Sequence, residues 1–291
     1  MKALLIFGSF GLLIALLLYI ERTVGERARN FYDRNERWAF PTMFWAFLGV
    51  ALALPLFVGV VQEELFVLVG IFALMSLGLN VVVGFAGLLD LGYVAFWAIG
   101  AYSWAILSGA GPFDVTIPFL EGASIWRVLP VAVLITAISG LILGAPTLRL
   151  RGDYLALVTL GFGEIVRIVA ENLEGVTRGS KGIIGIPGAS VPFTKTQFGV
   201  DPAPYYILTV IFLGLMVWLI RRLNHSRVGR YWAAIREDEL AAEAMGVPTL
   251  KYKLAAFAIG ASTSGFAGVV YAARVGFISP QSFHFLISIT I

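Results

Sequence analysis

LFVLVGIFALMSLGLNVVV, residues 65–83, contains no ionisable side chain, and Ser76 and Asn80 are its only polar ones. A bilayer's hydrocarbon core is about 30 Å thick and takes about 20 apolar helical residues to cross, so this run is long enough for one passage. Seven other stretches read the same way: Ala3–Ile20, Pro41–Val61, Tyr93–Ser108, Val128–Pro146, Tyr154–Glu171, Tyr205–Ile220 and Leu254–Ala273. They are continuous apolar runs, whereas a membrane β-barrel would alternate polarity in segments of about ten residues. The expected fold is an all-α integral membrane protein. Residues 1–291 are predicted to form a single polytopic bundle of about eight transmembrane helices.

Composition agrees with that reading. Of 291 residues, 59% are hydrophobic and 13% charged, with a mean hydropathy of +0.87. Soluble proteins carry roughly 25% charged residues, so an ordinary globular protein is excluded and no length is left for a separate catalytic domain. The net charge of +3 comes from basic residues spread along the loops. No basic stripe suited to nucleic acid forms, and no nucleic-acid partner is expected. Cysteine is absent, and histidine occurs only at His225 and His284. Disulfides, thiol nucleophiles and Cys/His metal or haem sites lack their raw material, so neither a metal nor a cofactor is expected. Ala3–Ile20 exceeds the usual apolar core of a signal peptide, about 7–15 residues, and ends in Leu18-Tyr19-Ile20-Glu21 without a small-residue cleavage site. It reads as a retained helix.

Orientation follows from Lys and Arg, which are enriched in cytoplasmic loops. Loops 21–40, 147–153 and 221–253 hold 14 basic residues in 60 positions, against 4 in 55 for 62–64, 109–127 and 172–204. The first set is predicted inside and the amino terminus outside. Trp38, Trp45, Trp126, Tyr205 and Tyr206 fall at predicted span ends, where interfacial anchoring accounts for them.

Small residues recur where helices would have to approach closely, as at Gly78, Gly260, Gly265 and Gly268. The segment Gly84-Phe85-Ala86-Gly87-Leu88-Leu89-Asp90-Leu91-Gly92 goes further, because three glycines and an acid interrupt two apolar runs. Irregular backbone at membrane depth is tolerated only against protein or a cavity. Asn80, Gly84, Gly87 and Asp90 are therefore candidates for a pathway or structural role. Asp90 reads equally as a hydrated cytoplasmic mouth or as a cap on the broken helix. Asn80 reads as interhelical packing glue. Glu164 and Arg167, three apart on one helix face, read as an internal ion pair fixing helix packing or as a pair facing a translocation path. On its residues alone, the glycine-rich loop 175–199 reads as a flexible connector.

The polar stretch SRVGRYWAAIREDELAAEAMGVPTLKYK, residues 226–253, is patterned differently. Glu237, Asp238 and Glu239 suit a helix amino terminus, Ala241, Ala244 and Met245 form a small apolar face, and Gly246 with Pro248 supplies a stop. Residues 228–246 are expected to form a cytoplasmic helix pair, a rigid lever for a partner, within the loop 221–253. Glu239-Leu240-Ala241-Ala242-Glu243-Ala244-Met245-Gly246 resembles the coupling loop of ABC importer permeases. More specifically, residues 77–102, 148–168, 179–187 and 228–283 resemble, in order, blocks of LivM-type permeases of branched-chain amino acid uptake.

That resemblance implies a conduit without covalent chemistry of its own, not an enzyme, in a bacterial or archaeal inner membrane. Glu239, Ala241, Ala242, Glu243 and Gly246 would couple it to the ATPase, with Ala241, Ala242 and Gly246 at the contact. Its partners would be two ATP-binding cassette subunits, a homologous second permease and an external substrate-binding protein, all beside the lipid bilayer. The loop 175–199 would then be part of the face where the substrate-binding protein docks. The chain has no phosphate-binding Gly-x4-Gly-Lys-[Ser/Thr] loop, so ATP would be hydrolysed on the separate subunits. A urea or amide permease of the same family remains open. An ion-coupled secondary transporter would want two related broken helices, and one break is seen. An integral-membrane enzyme would want convergent polar groups that are missing. Phe283–Ile291 is apolar but too short to span, and the family continues past this point, so the expectation is a carboxyl-terminal truncation of a longer permease.

Overall fold

The computed structural model describes residues 36–110, 125–148, 150, 152–189, 198 and 201–291. The predicted span Ala3–Ile20 lies outside them. Two compact units divide the chain, Met1–Leu54 and Pro55–Ile291. Of the first, helix α1 (Glu36–Ala53) is described. It gives way to a 3-10 turn at Leu54–Leu56. Pro55 has no N–H to continue an α-helical ladder there, which ends the predicted Pro41–Val61 span early.

The second unit is helical almost throughout. Helix α2 (Val60–Asn80) starts five residues before the predicted Leu65, because Gln62 and Glu63 donate their N–H groups to the Gly59 carbonyl. It runs into a π turn at Val81–Phe85. Then follow α3 (Val94–Leu107), α4 (Ile125–Thr147), α5 (Asp153–Asn172), the one-turn α6 (Glu174–Thr177) and strand β1 (Ile183–Ile184). Helices α7 (Ala203–Asn224), α8 (Arg227–Glu237), α9 (Glu239–Ala244) and α10 (Thr249–Val275) come next. Strand β2 (Phe277–Ile278) and the short α11 (Leu286–Thr290) complete the described order.

Helix α10 is the hub, packed most extensively on α4, α3 and α2. Glycines make that possible. A side chain at Gly100 of α3 would overlap the backbone of Gly265, and one at Gly268 would overlap the Trp97 carbonyl. Helix α3 is buried on all sides from Val94 to Ala105, as expected of a helix that is apolar all round. Its 14 residues span about 21 Å, less than a hydrocarbon core. The outer helices instead turn Leu134, Ile138, Ile142, Ile211 and Leu215 outward. Apolar surface on that scale suits lipid and would be a liability in water.

Residues 179–189, after α6, are more ordered than a flexible connector. Ile183 and Ile184 pair antiparallel with Ile278 and Phe277, and Gly182 sits at φ +73° so tightly against the Ile278 carbonyl that a β-carbon would not fit. Tyr205 ties the region down, its hydroxyl donating to the Ala273 carbonyl and accepting from the Ala189 N–H.

Candidate functional site: an exposed helix pair and a broken helix

Helix α8 is capped by Ser226, whose Oγ accepts the Val228 N–H at 3.1 Å. It stops at Asp238, which turns to extended backbone and caps α9 in turn by accepting the N–H groups of Leu240 and Ala241 at 2.9 and 3.0 Å. That cap offsets part of the orphan-donor cost at a helix start. After Ala244 and Met245, Gly246 takes φ +84°, a left-handed turn that disfavours any residue with a β-carbon. Leu240 and Met245 remain exposed, Met245 at 85%. Ala241, Glu243 and Gly246 are exposed too, but Ala242 is buried within the chain. A groove of about 630 Å³ runs beside this segment, lined by Glu243, Val247, Lys251, Leu254 and Leu141 among others.

Three polar contacts fasten the pair to the bundle. Trp232 is fully buried and donates from Nε1 to the Tyr252 carbonyl of α10 at 2.9 Å. Lys253, whose side chain is 4% exposed, reaches Glu239 at 2.6 Å. Arg236, one turn beyond Trp232, donates from Nη1 to the Gly84 carbonyl at the end of α2, at 2.8 Å.

At the break itself, Ala86, Gly87 and Leu88 donate back to Val81, Val83 and Val82, a π-like ending that uses up those carbonyls. Gly87 has φ +69°. The Asn80 amide lies over Gly84, where it would meet a β-carbon. Asp90 is 3% exposed; its Oδ1 accepts the Gly92 N–H at 2.9 Å, while Oδ2 is buried without a hydrogen-bond partner among the described residues. The adjoining Leu91 N–H donates to Thr159 Oγ1 of α5 at 3.0 Å, and Gly92 presses on the Thr159 carbonyl. Ser288 of α11 accepts the Val94 N–H and so caps α3.

Glu164 and Arg167 do pair on α5, and Glu171 joins them: Arg167 donates from Nε to Glu164 at 3.0 Å and from Nη1 to Glu171 at 3.1 Å. This triplet is partly exposed. Reading the sequence missed Arg236, Lys253, Trp232 and Thr159, because each acts through a partner distant in the chain. It also missed Trp97 and Tyr102. Their rings flank Phe283 at 5.0 and 5.9 Å, and Trp97 Nε1 and the Tyr102 hydroxyl are buried without a hydrogen-bond partner among the described residues.

Among the described residues, four helices, Val60–Phe85, Ile125–Thr147, Ala203–Asn224 and Thr249–Val275, are long and apolar enough to cross a bilayer. With the buried α3 and an exposed polar helix pair, they define an all-α, multi-pass membrane protein. Residues 61–291 match the family described as branched-chain amino acid transport system / permease component, and the chain belongs to that family. It is 42% identical over 260 residues to the high-affinity branched-chain amino acid transport system permease protein LivM of Salmonella typhimurium, with 82% of this chain and 59% of the relative covered. The same protein of Escherichia coli K12 matches with the same identity and coverage. The chain thus spans about three fifths of the length of these curated relatives. No solved structure matches it.

Proposed function

We propose that this chain is the transmembrane permease subunit of an ABC importer that conducts leucine, isoleucine and valine across the inner membrane of a bacterium or archaeon. The observation that carries this reading is the 42% identity to two LivM permeases over most of the chain. In this reading the bundle has about eight crossings and residues 221–253 form the coupling loop. Of two ATP-binding cassette subunits, one docks on α9 through Glu239, Ala241, Glu243 and Gly246, and the other docks on the second permease. Ala242, buried within the chain, supports that surface from behind. A homologous second permease completes the pathway, and an external binding protein delivers the substrate and sets most of the selectivity. Closure of the ATPases pulls α8 and α9, and the bundle rocks around the break after α2. Exposed Met245 and Leu240 beside a 630 Å³ groove support the docking role, because a surface in water gains little from such side chains unless a partner covers them.

The test is uptake by proteoliposomes holding the full chain with its partner subunits and binding protein. ATP-dependent accumulation of labelled leucine, competed by isoleucine and valine but not by urea, is the expected result. Uptake of urea in place of leucine would reassign the cargo. Leucine accumulation driven by an ion gradient without ATP would overturn the class.

A further inference from the structure

Helix α2 ends in an irregular series of bonds. The carbonyls of Val81, Val82 and Val83 each accept from the backbone of 86–88, and the next carbonyl, Gly84, accepts from Arg236 on α8. A helix carboxyl terminus carries unsatisfied carbonyls and partial negative charge, so a guanidinium is the side chain best suited to close it. Arg236 touches the break a second time. A β-carbon at Gly87 would lie 2.7 Å from its Cγ, so the side-chain stem covers the glycine that reverses the chain. Trp232, one turn earlier, holds the same helix to the Tyr252 carbonyl of α10. The α8–α9 segment therefore grips α10 through Trp232 and Lys253, and the end of α2 through Arg236.

We propose that Arg236 is a positioning residue that passes motion of the α8–α9 segment to the break after α2, by capping the Gly84 carbonyl and covering Gly87. The proposal rests on the coupling role assigned to α9 above and adds the route by which it reaches the interior. A π turn differs from an α turn by one carbonyl in its bonding register, so the ending of α2 has two arrangements available to it. Withdrawing the Arg236 guanidinium frees the Gly84 carbonyl and biases the choice. Downstream, Leu91 is bonded to Thr159 of α5 and Val94 to Ser288 of α11, so a shift at 84–87 is felt at the amino end of the buried α3. A coupling claim needs such a two-state element, biased from both ends.

The experiment uses the assembled transporter and a cysteine introduced by Leu89→Cys. Leu89 is about half exposed within the break, and the chain has no cysteine of its own. The rate of modification by an impermeant maleimide is measured with and without a non-hydrolysable ATP analogue. With Arg236 present, nucleotide is expected to change the rate by about tenfold, a common size for coupling between sites. Arg236→Gln should abolish the change, and Arg236→Lys, which still offers a cation to the carbonyl, should restore much of it. Because the Arg236 side chain is 49% exposed, neither variant removes core packing, and equal rates without nucleotide verify that the break is intact. A nucleotide response equally large in Arg236→Gln would overturn the transmission role while leaving the coupling reading standing. No response in any version would overturn the coupling reading, and the proposal with it.

Discussion

Asp90 occupies a costly position for a carboxyl group: one oxygen is satisfied by the Gly92 N–H and the other is buried with no partner among the described residues. Asp90→Asn keeps the acceptor at Oδ1 and removes the need to bury a charge. It should therefore leave thermal stability in detergent unchanged or raised, whereas Asp90→Ala should lose about 1 kcal/mol with the capping bond. Loss of stability in the Asn variant equal to that in the Ala variant would show that the charge itself is needed. The Lys253–Glu239 pair is lopsided in another way, since the lysine is 4% exposed and the glutamate 24%. Removing the glutamate strands a buried ammonium. Glu239→Ala should therefore cost more than Lys253→Met, about 2 kcal/mol after allowing for the partial exposure, and the double variant should recover part of the loss. Chemical denaturation of the four versions measures this, and equal losses in the two single variants would refute it.

Among the elements, contact between α3 and α10 depends on missing side chains. At Gly265 a β-carbon would run into Thr136 of α4, and at Gly100 into the Gly265 backbone. Gly100→Ala should destabilise the bundle by about 1–3 kcal/mol, the usual cost of overpacking, while Gly161→Ala, which meets open space, should be neutral. Thermal melts of the purified variants compare the two, and equal stability would mean that α3 and α10 can separate freely. The helices themselves were legible because each is an apolar run longer than a turn or strand could use, and α2, α4, α7 and α10 fall where those runs lie. Their ends were less legible. Glu63 and Glu64 look like a loop in sequence but lie at the start of α2, Glu63 in the first turn, where the helix dipole favours acids, and Glu64 just beyond it, paired with Arg274 from the far end of α10. Helix α5 reads as a span, yet it is not among the four helices long and apolar enough to cross, because Asp153, Glu164, Arg167 and Glu171 load it with charge, although Arg167 pairs with both glutamates. The glycine break at 84–92 was visible from composition. Its cap was not, because Arg236 lies 152 residues away and no local pattern records that contact.

For the whole molecule, the basic residues of 221–253 predict that α8 and α9 face the cytoplasm and that the loop holding β1 faces outward. Introduced cysteines test this in a chain that has none: Ser180→Cys should react with an impermeant reagent added outside and His225→Cys should not, and the opposite pattern would invert the topology. In the proposed reading α9 is the point at which ATP energy enters, and Gly246 ends that helix in a conformation that a larger residue strains. The central claim is that this permease is worked from that point by ATPase subunits. Its most direct test is the number of leucine molecules taken up per ATP hydrolysed by the reconstituted transporter, compared between the unaltered chain and Gly246→Leu. A ratio that falls at least about tenfold, with assembly and ATP hydrolysis retained, is the predicted result, a loss of coupling of ordinary size. An unchanged ratio in a fully assembled Gly246→Leu transporter would contradict it.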